Sequence, residues 1–149
     1  MYISQKCQYA VRAVLELSKH VGNVPLKNSD IAARQAIPER FLGIILNELK
    51  AAGIVQARRG VQGGFLLAGT PREITVGRVI REMDGPMDPV RCTDENEKIA
   101  CPLRPGCSLI ELWSRAKSAV EAVYDGTTFQ DLLDREVELS QSKVTDFSI

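Results

Sequence analysis

Pro38-Glu39-Arg40-Phe41-Leu42-Gly43-Ile44-Ile45-Leu46-Asn47-Glu48-Leu49-Lys50-Ala51-Ala52 is the stretch from which the rest of the chain can be read. Phe41, Leu42, Ile45, Leu46 and Leu49 recur at the intervals of a buried helical stripe. Arg40, Gly43, Asn47 and Lys50 recur on the opposite side, a polar face with one small gap. Pro38 suits a first helical position, where its φ is pre-set and no N–H is needed. Gly53 follows where helices commonly stop. Upstream, Asn28 is a good cap for a short helix through Ile31, Ala32 and Ala33. A short helix, a tight turn and a second amphipathic helix predict a helix-turn-helix.

Working outward, Ile54–Arg58 and Phe65–Ala68 are two short apolar runs around the tip Arg59-Gly60-Val61-Gln62-Gly63-Gly64. They read as a β-hairpin, whose glycines let the backbone take positive φ and approach a partner closely. A hairpin directly after the second helix makes the unit a winged helix. A phosphate-cradling nucleotide loop is excluded, because no Lys-Ser or Lys-Thr pair follows and the flanks are strand–strand. Residues 4–20 carry a first helix, capped by Ser4 and stopped by Gly22 and Pro25. Ile74, Val76, Val79, Ile80 and Met83 predict another that closes the core.

From Gly85 to Gly106 the chain is rich in Pro, Gly and charge and reads as an irregular loop. Ser108 and Glu111 form a capping-box pattern opening a helix with Leu109, Trp113, Ala116, Val120 and Val123 on a heptad seam. That seam suits packing against a twin helix. Thr128 opens a last short helix, expected from Phe129 to about Leu139 with a frayed tail beyond Ser140. The expected fold is therefore mainly α: a winged helix-turn-helix with a two-stranded wing and a long C-terminal dimerisation helix. The expected divisions are a reading domain at 1–83, a cysteine-bearing loop at 84–107, the dimerisation helix at 108–125, and a short helix with its tail at 126–149.

The 149 residues, 44% hydrophobic, suit one domain with an appended arm. No apolar run approaches the roughly 18–20 residues of a membrane span, and the N-terminus has no signal-peptide pattern. A cytoplasmic protein without membrane contact is expected. The 19 basic and 19 acidic residues cancel, but residues 1–80 hold 11 of the basic and 5 of the acidic ones. A basic half on an acidic half hints at a polyanion-binding module. With His20 as its single histidine and no nucleophile–base pair besides the thiols, the chain is not expected to be an enzyme.

Three of the four cysteines, Cys92, Cys101 and Cys107, stand close together in the loop. Such a cluster points to metal binding or redox chemistry more than to a disulfide framework. Thiolates suit iron–sulfur clusters or zinc, but zinc favours four closed ligands with paired C-x-x-C arms, which are absent. A cluster with one weaker or foreign ligand and a thiol–disulfide switch both remain open, with Cys7 read as a plain buried side chain.

The run from Ile37-Pro38-Glu39-Arg40-Phe41-Leu42 through Ala52-Gly53-Ile54-Val55 to Arg59-Gly60-Val61-Gln62-Gly63-Gly64-Phe65-Leu66-Leu67-Ala68 resembles the IscR/NsrR family of bacterial winged-helix regulators. Tyr9-Ala10-Val11-Arg12-Ala13, Ile74-Thr75-Val76 and Val79-Ile80 match it too, so the likeness covers about residues 1–125. It implies a homodimeric transcription factor, often holding an iron–sulfur cluster, of the 2Fe-2S or 4Fe-4S type, through three cysteines before the dimerisation helix. Cys92, Cys101 and Cys107 occupy those positions. The first gap, eight residues, is longer than the family's five, and Ile110 stands where IscR-like proteins carry a histidine ligand. NsrR-like relatives draw a fourth ligand from the first helix of the other subunit, here Gln8 of the partner subunit, with Cys7 of the partner subunit beside it.

For double-stranded DNA, the helix from Pro38 would enter the major groove of a pseudo-palindromic operator. Arg40 suits guanine O6 and N7, Asn47 an adenine edge, and Glu39 a cytosine N4; Gly43 leaves space. Resemblance carries a minor-groove or phosphate contact onto Arg59, beside Arg58, with Gly60, Gly63 and Gly64 letting the wing approach the sugar–phosphate edge. The expected function is an operator-binding regulator, a repressor by resemblance, tuned by a cluster that senses redox state, nitric oxide or iron. The alternatives are a cluster-free regulator under thiol or protein-partner control, and an iron–sulfur carrier or electron-transfer protein.

Overall fold

The computed structural model describes residues 2–20, Gly22, 24–93 and 101–145, with side chains to 142. Parts of the expected cysteine loop (94–100) and of the expected tail (146–149) lie outside the described residues. In chain order the elements are α1 (Gln5–Ser18), α2 (Asn28–Gln35), α3 (Glu39–Ala51), β1 (Val55–Arg58), β2 (Gly64–Leu67), α4 (Val76–Asp84), α5 (Leu109–Asp125) and α6 (Phe129–Thr145). Single turns of 3-10 helix lie at Arg91–Thr93 and Arg104–Gly106. Mainly helical, with one antiparallel two-stranded wing, the chain has the expected fold class.

Helix α1 is the spine. Its buried stripe, Cys7, Ala10, Val14 and Leu17, meets Leu42, Ile45, Leu46 and Leu49 of α3 and Val79, Ile80 and Met83 of α4 in one core. Ser4 caps it as expected, accepting from the Cys7 N–H at 3.1 Å, a contact of about 1 kcal/mol. The cap is itself held: the Ser4 N–H and hydroxyl donate to Asp84 at 2.8 and 2.5 Å, joining the start of α1 to the end of α4.

Helix α6 belongs to this core. Its first residue, Phe129, is fully buried. The Val76 N–H donates to Thr127 O (2.9 Å) and the Phe129 N–H to Ile74 O (3.1 Å), so the returning chain clips onto the entry of α4. Thr128 caps α6 reciprocally: its hydroxyl accepts from the Asp131 N–H at 3.1 Å while its own N–H donates to Asp131 at 2.8 Å. The Thr128 hydroxyl also donates to the Asp131 carboxylate at 2.6 Å, and that bond first, then the one from the Thr128 N–H, hold the carboxyl below its ordinary range. So anchored, α6 runs to Thr145, past the expected end near Leu139.

Three local expectations are revised. Lys27, not Asn28, holds the cap position of α2, and no side chain bonds there. Ser108 has helical dihedrals and makes no capping bond. The expected seam of α5 mixes two faces. Trp113 and Val120 are half-buried, while Leu109, Leu112, Ala116, Ala119 and Val123 form the exposed stripe at alternating three- and four-residue spacing.

A buried charge joins α1 to α2. Glu16 is 5% exposed and accepts from Gln35 at 2.8 Å and Arg34 at 3.1 Å, with Lys19 and His20 at 3.6 and 3.5 Å. Lys19 also reaches Glu136 of α6 at 2.9 Å. Burial pushes the Glu16 carboxyl up, but the bonds from Gln35 and Arg34 and the nearby Lys19 outweigh it and hold it below its ordinary range. A carboxyl depressed in the folded state stabilises above the unfolded value, about pH 4, and that contribution is lost as pH falls through the folded value. Glu16→Gln is expected to lower stability at pH 7 by about 1–3 kcal/mol. The deficit should shrink toward pH 2–3, as urea titrations at the two pH values will read.

Candidate nucleic-acid interface and cysteine segment

The two ends of α3 are tied to three different helices. At its start, the Arg12 guanidinium donates to the Gln35 carbonyl at the end of α2, a cation where the helix dipole is negative. Arg12 also stands over the Tyr9 ring (5.7 Å), and Tyr9 meets Phe41 of α3 edge-on at 5.9 Å. The turn closes through Ala36, left-handed at φ 49°, ψ 49°. Asn28, freed from capping, donates its amide to Glu39 O at 3.0 Å and so pins the start of α3 to that of α2. At the other end, the Arg78 guanidinium of α4 donates to Ala52 O and Gly53 O at 3.2 and 3.4 Å.

So held, α3 buries Leu42, Ile45, Leu46 and Leu49 and turns Pro38, Glu39, Arg40, Asn47 and Lys50 to solvent, with Gly43 half-buried among them. Glu48 is drawn aside by Lys6 of α1 at 2.9 Å. Ile44, which sequence reading passed over, is 55% exposed in the middle of this face. The available signal was position: it lies four residues after Arg40 and three before Asn47. A Cβ on Gly43 would meet nothing nearer than the Asn28 amide at 3.8 Å. Neither packing nor a positive φ requires glycine here, although a helix-interior glycine costs about 1 kcal/mol relative to alanine.

The wing pairs Val55 with Leu67 through Arg58 with Gly64. Arg58, Arg59 and Gly60 are exposed at its tip, Gly60 at φ +110°. Gly63 and Gly64 serve the wing's own packing. A Cβ on Gly63 would lie 2.8 Å from Gly60 O, and one on Gly64 would press into the Leu26 backbone, 2.6 Å from its carbonyl carbon. That closeness lets Leu26 and Phe65 exchange two 2.8 Å backbone hydrogen bonds, adding a third strand-like contact. The exposed polar face of α3 and the arginine-bearing wing tip are the residues expected to meet DNA. His20, by contrast, is engaged by Arg34 at 2.6 Å within the Glu16 network.

Cys92, Cys101 and Cys107 are all half-buried free thiols. Among the described residues no three His, Cys, Asp or Glu side chains are grouped so as to hold a metal ion. Neither candidate fourth ligand on α1 improves the set: Gln8 is exposed with its amide donating to Ile3 O at 3.0 Å, and Cys7 is fully buried. Burial first, then the charge and hydrogen-bonding of Asp84, push the Cys7 thiol up to about 12, so without a metal it stays protonated and a poor nucleophile. Among the described residues the donors as arranged do not make up a four-ligand cluster site. Iodoacetamide at pH 8 is expected to label Cys92, Cys101 and Cys107 in the native chain and Cys7 only in denaturant, which peptide mass spectrometry will check.

Lys117 ties α5 to the cysteine segment and Arg81 ties it to α4. Lys117 of α5 reaches Asp88 at 2.9 Å and Thr93 O at 3.5 Å, bracketing Cys92. The Arg81 guanidinium of α4 donates to both carboxylate oxygens of Asp125, at 2.7 and 2.5 Å. Among the described residues no helix is long and apolar enough to cross a membrane.

Residues 3–135 match the family model Rrf2, described as an iron-dependent transcriptional regulator. The HTH-type transcriptional regulator CymR of Bacillus subtilis is 36% identical over 89% of both chains. IscR of Aliivibrio salmonicida, likewise an HTH-type transcriptional regulator, is 33% identical over 93% of this chain and 81% of its own. The solved structure of B. subtilis CymR, titled the global cysteine regulator, superposes with a TM-score of 0.75 at 35% identity, over 91% of this chain and 98% of that one. The family match runs through α3, the wing and α5 alike, and the chain belongs to the Rrf2 family of transcriptional regulators.

Proposed function

We propose that this chain binds a pseudo-palindromic operator as a homodimer and that the chemical state of Cys92, Cys101 and Cys107 sets its affinity. The observation that carries the reading is the joint exposure of Arg40 and Asn47 on α3 and of Arg58 and Arg59 on the wing, on a helix tied at both ends. In this reading α3 lies in the major groove and the wing arginines meet phosphates or the minor groove. The exposed stripe Leu109, Leu112, Ala116, Ala119 and Val123 packs against its twin. Residues 84–107 join the two, so a change at the thiols alters the spacing of the reading helices, which must match about one turn of B-DNA. The protein acts in the cytoplasm, as a repressor where its operator overlaps a promoter.

Two inputs suit three loop thiols. One is an iron–sulfur cluster completed by a ligand from outside the described part of this chain. The other is oxidation of the thiols without metal, with or without a regulatory protein partner. The family description, iron-dependent, supports the first, and the lack of a fourth donor on α1 supports the second. Anaerobic purification, an absorption spectrum and iron and sulfide counts decide between them: colourless, iron-free protein whose duplex affinity changes on oxidation supports the thiol input. Cys101→Ala is expected to remove the response and leave basal binding. Salt-insensitive failure to bind any duplex would point instead to a carrier.

A further inference from the structure

On the solvent side of α3 two neighbouring residues run against what the fold needs. Ile44 leaves more than half of its surface in water between Arg40 and Asn47. Gly43 omits a side chain that the interior would accommodate, since its added Cβ would make only an ordinary contact, at 3.8 Å, with Asn28. Its φ is not positive, so turn geometry does not ask for glycine either. A helix that gives up stability at one position and exposes an apolar side chain at the next is shaped for something outside itself. An exposed apolar side chain beside a position without one is thus flanked by Arg40 and Asn47, two side chains able to make base-edge hydrogen bonds.

In the major groove the one apolar group that a base edge offers is the thymine C5-methyl, and it takes apolar contacts. We infer that Gly43 and Ile44 read a thymine methyl in each half-site, the glycine admitting the base edge and the isoleucine covering the methyl. Arg40 and Asn47, spaced about two turns apart around them, then hydrogen-bond the flanking base pairs. The inference rests on the operator-binding reading above and names one base that reading leaves open.

The test uses the full-length protein and duplexes selected from a random library at low salt. Each thymine of the selected site is replaced in turn by uracil, which removes the methyl alone, and affinity is read by fluorescence anisotropy. One thymine per half-site is expected to lose roughly three- to tenfold affinity as uracil. Ile44→Ala should lose a similar factor on the thymine duplex and become indifferent to uracil there. Gly43→Ala should melt at a higher temperature yet bind the same duplex more weakly, separating a steric role at the interface from a folding defect. If wild type and Ile44→Ala respond alike to uracil at every position, or Ile44→Ala binds as tightly as wild type, the inference is wrong. If the wild type selects no duplex at all, the operator-binding reading falls with it.

Discussion

Gly64→Ala is expected to unseat the wing and lower stability by about 2–4 kcal/mol, the range of steric strain at a packed backbone site. For a chain of this length that is roughly 5–15 °C in melting temperature. The reason is specific. The new Cβ would press on three backbone atoms, the Leu26 carbonyl oxygen and carbon and the Lys27 nitrogen, none of which can rotate away as a side chain would. Relief requires β2 to withdraw from Leu26, breaking the two hydrogen bonds between Leu26 and Phe65. Gly60→Ala is the control. Its Cβ would meet nothing within 4 Å, so only the positive φ penalises it, by about 1 kcal/mol. Urea titrations of both variants check the ranking, and equal losses would show that wing packing is not the cause.

The second large effect is expected at the duplex, where two arginines should fail differently. Arg59→Ala, on the exposed wing tip, is expected to weaken binding to all duplexes alike and to reduce the slope of log affinity against log salt by about 1, the signature of one lost phosphate contact. Arg40→Ala, near the start of α3, is expected to cost about 1–3 kcal/mol, roughly five- to 150-fold, on the selected operator and little on unrelated DNA. The contrast follows from what each guanidinium meets: a repeated charge in one case, a particular base edge in the other. Anisotropy titrations at several salt concentrations separate the two. A uniform loss for Arg40→Ala, with no change in base preference, would place α3 outside the groove.

The periodicity of Phe41, Leu42, Ile45, Leu46 and Leu49 was enough for the helix-turn-helix, because an amphipathic stripe is a property of spacing alone. The wing was legible for a similar reason, two short apolar runs around glycines. Ser4 as a cap and Thr128 at the head of α6 were also local, since capping bonds span three residues. Where one spacing suits two partners, it does not choose between them. Asn28 is a good cap by type, yet its amide goes to Glu39, eleven residues away, because the turn at Ala36 brings that carbonyl within reach. The seam of α5 slipped for the same reason: apolar residues occur on two adjacent faces, and only the elements packed on α5, which are α4 and the turn at Arg91–Thr93, decide which face is covered.

Of the glycines, Gly60, Gly63 and Gly64 looked alike as letters and proved unlike as positions: Gly60 is set by φ, Gly63 by neighbouring backbone and Gly64 by both, while Gly43 is set by neither. Cys7 was already set apart as a buried side chain, but only the packing put Asp84 beside it and left the three loop thiols half-exposed. Spacing and residue type by themselves determined which elements form, in what order, and that one helix face is polar. Which atoms meet across distant segments, and therefore which groups are inert, strained or available to a partner, was decided by the tertiary structure. Burial and steric overlap depend on the whole packed surface around a group, which no local window of sequence contains.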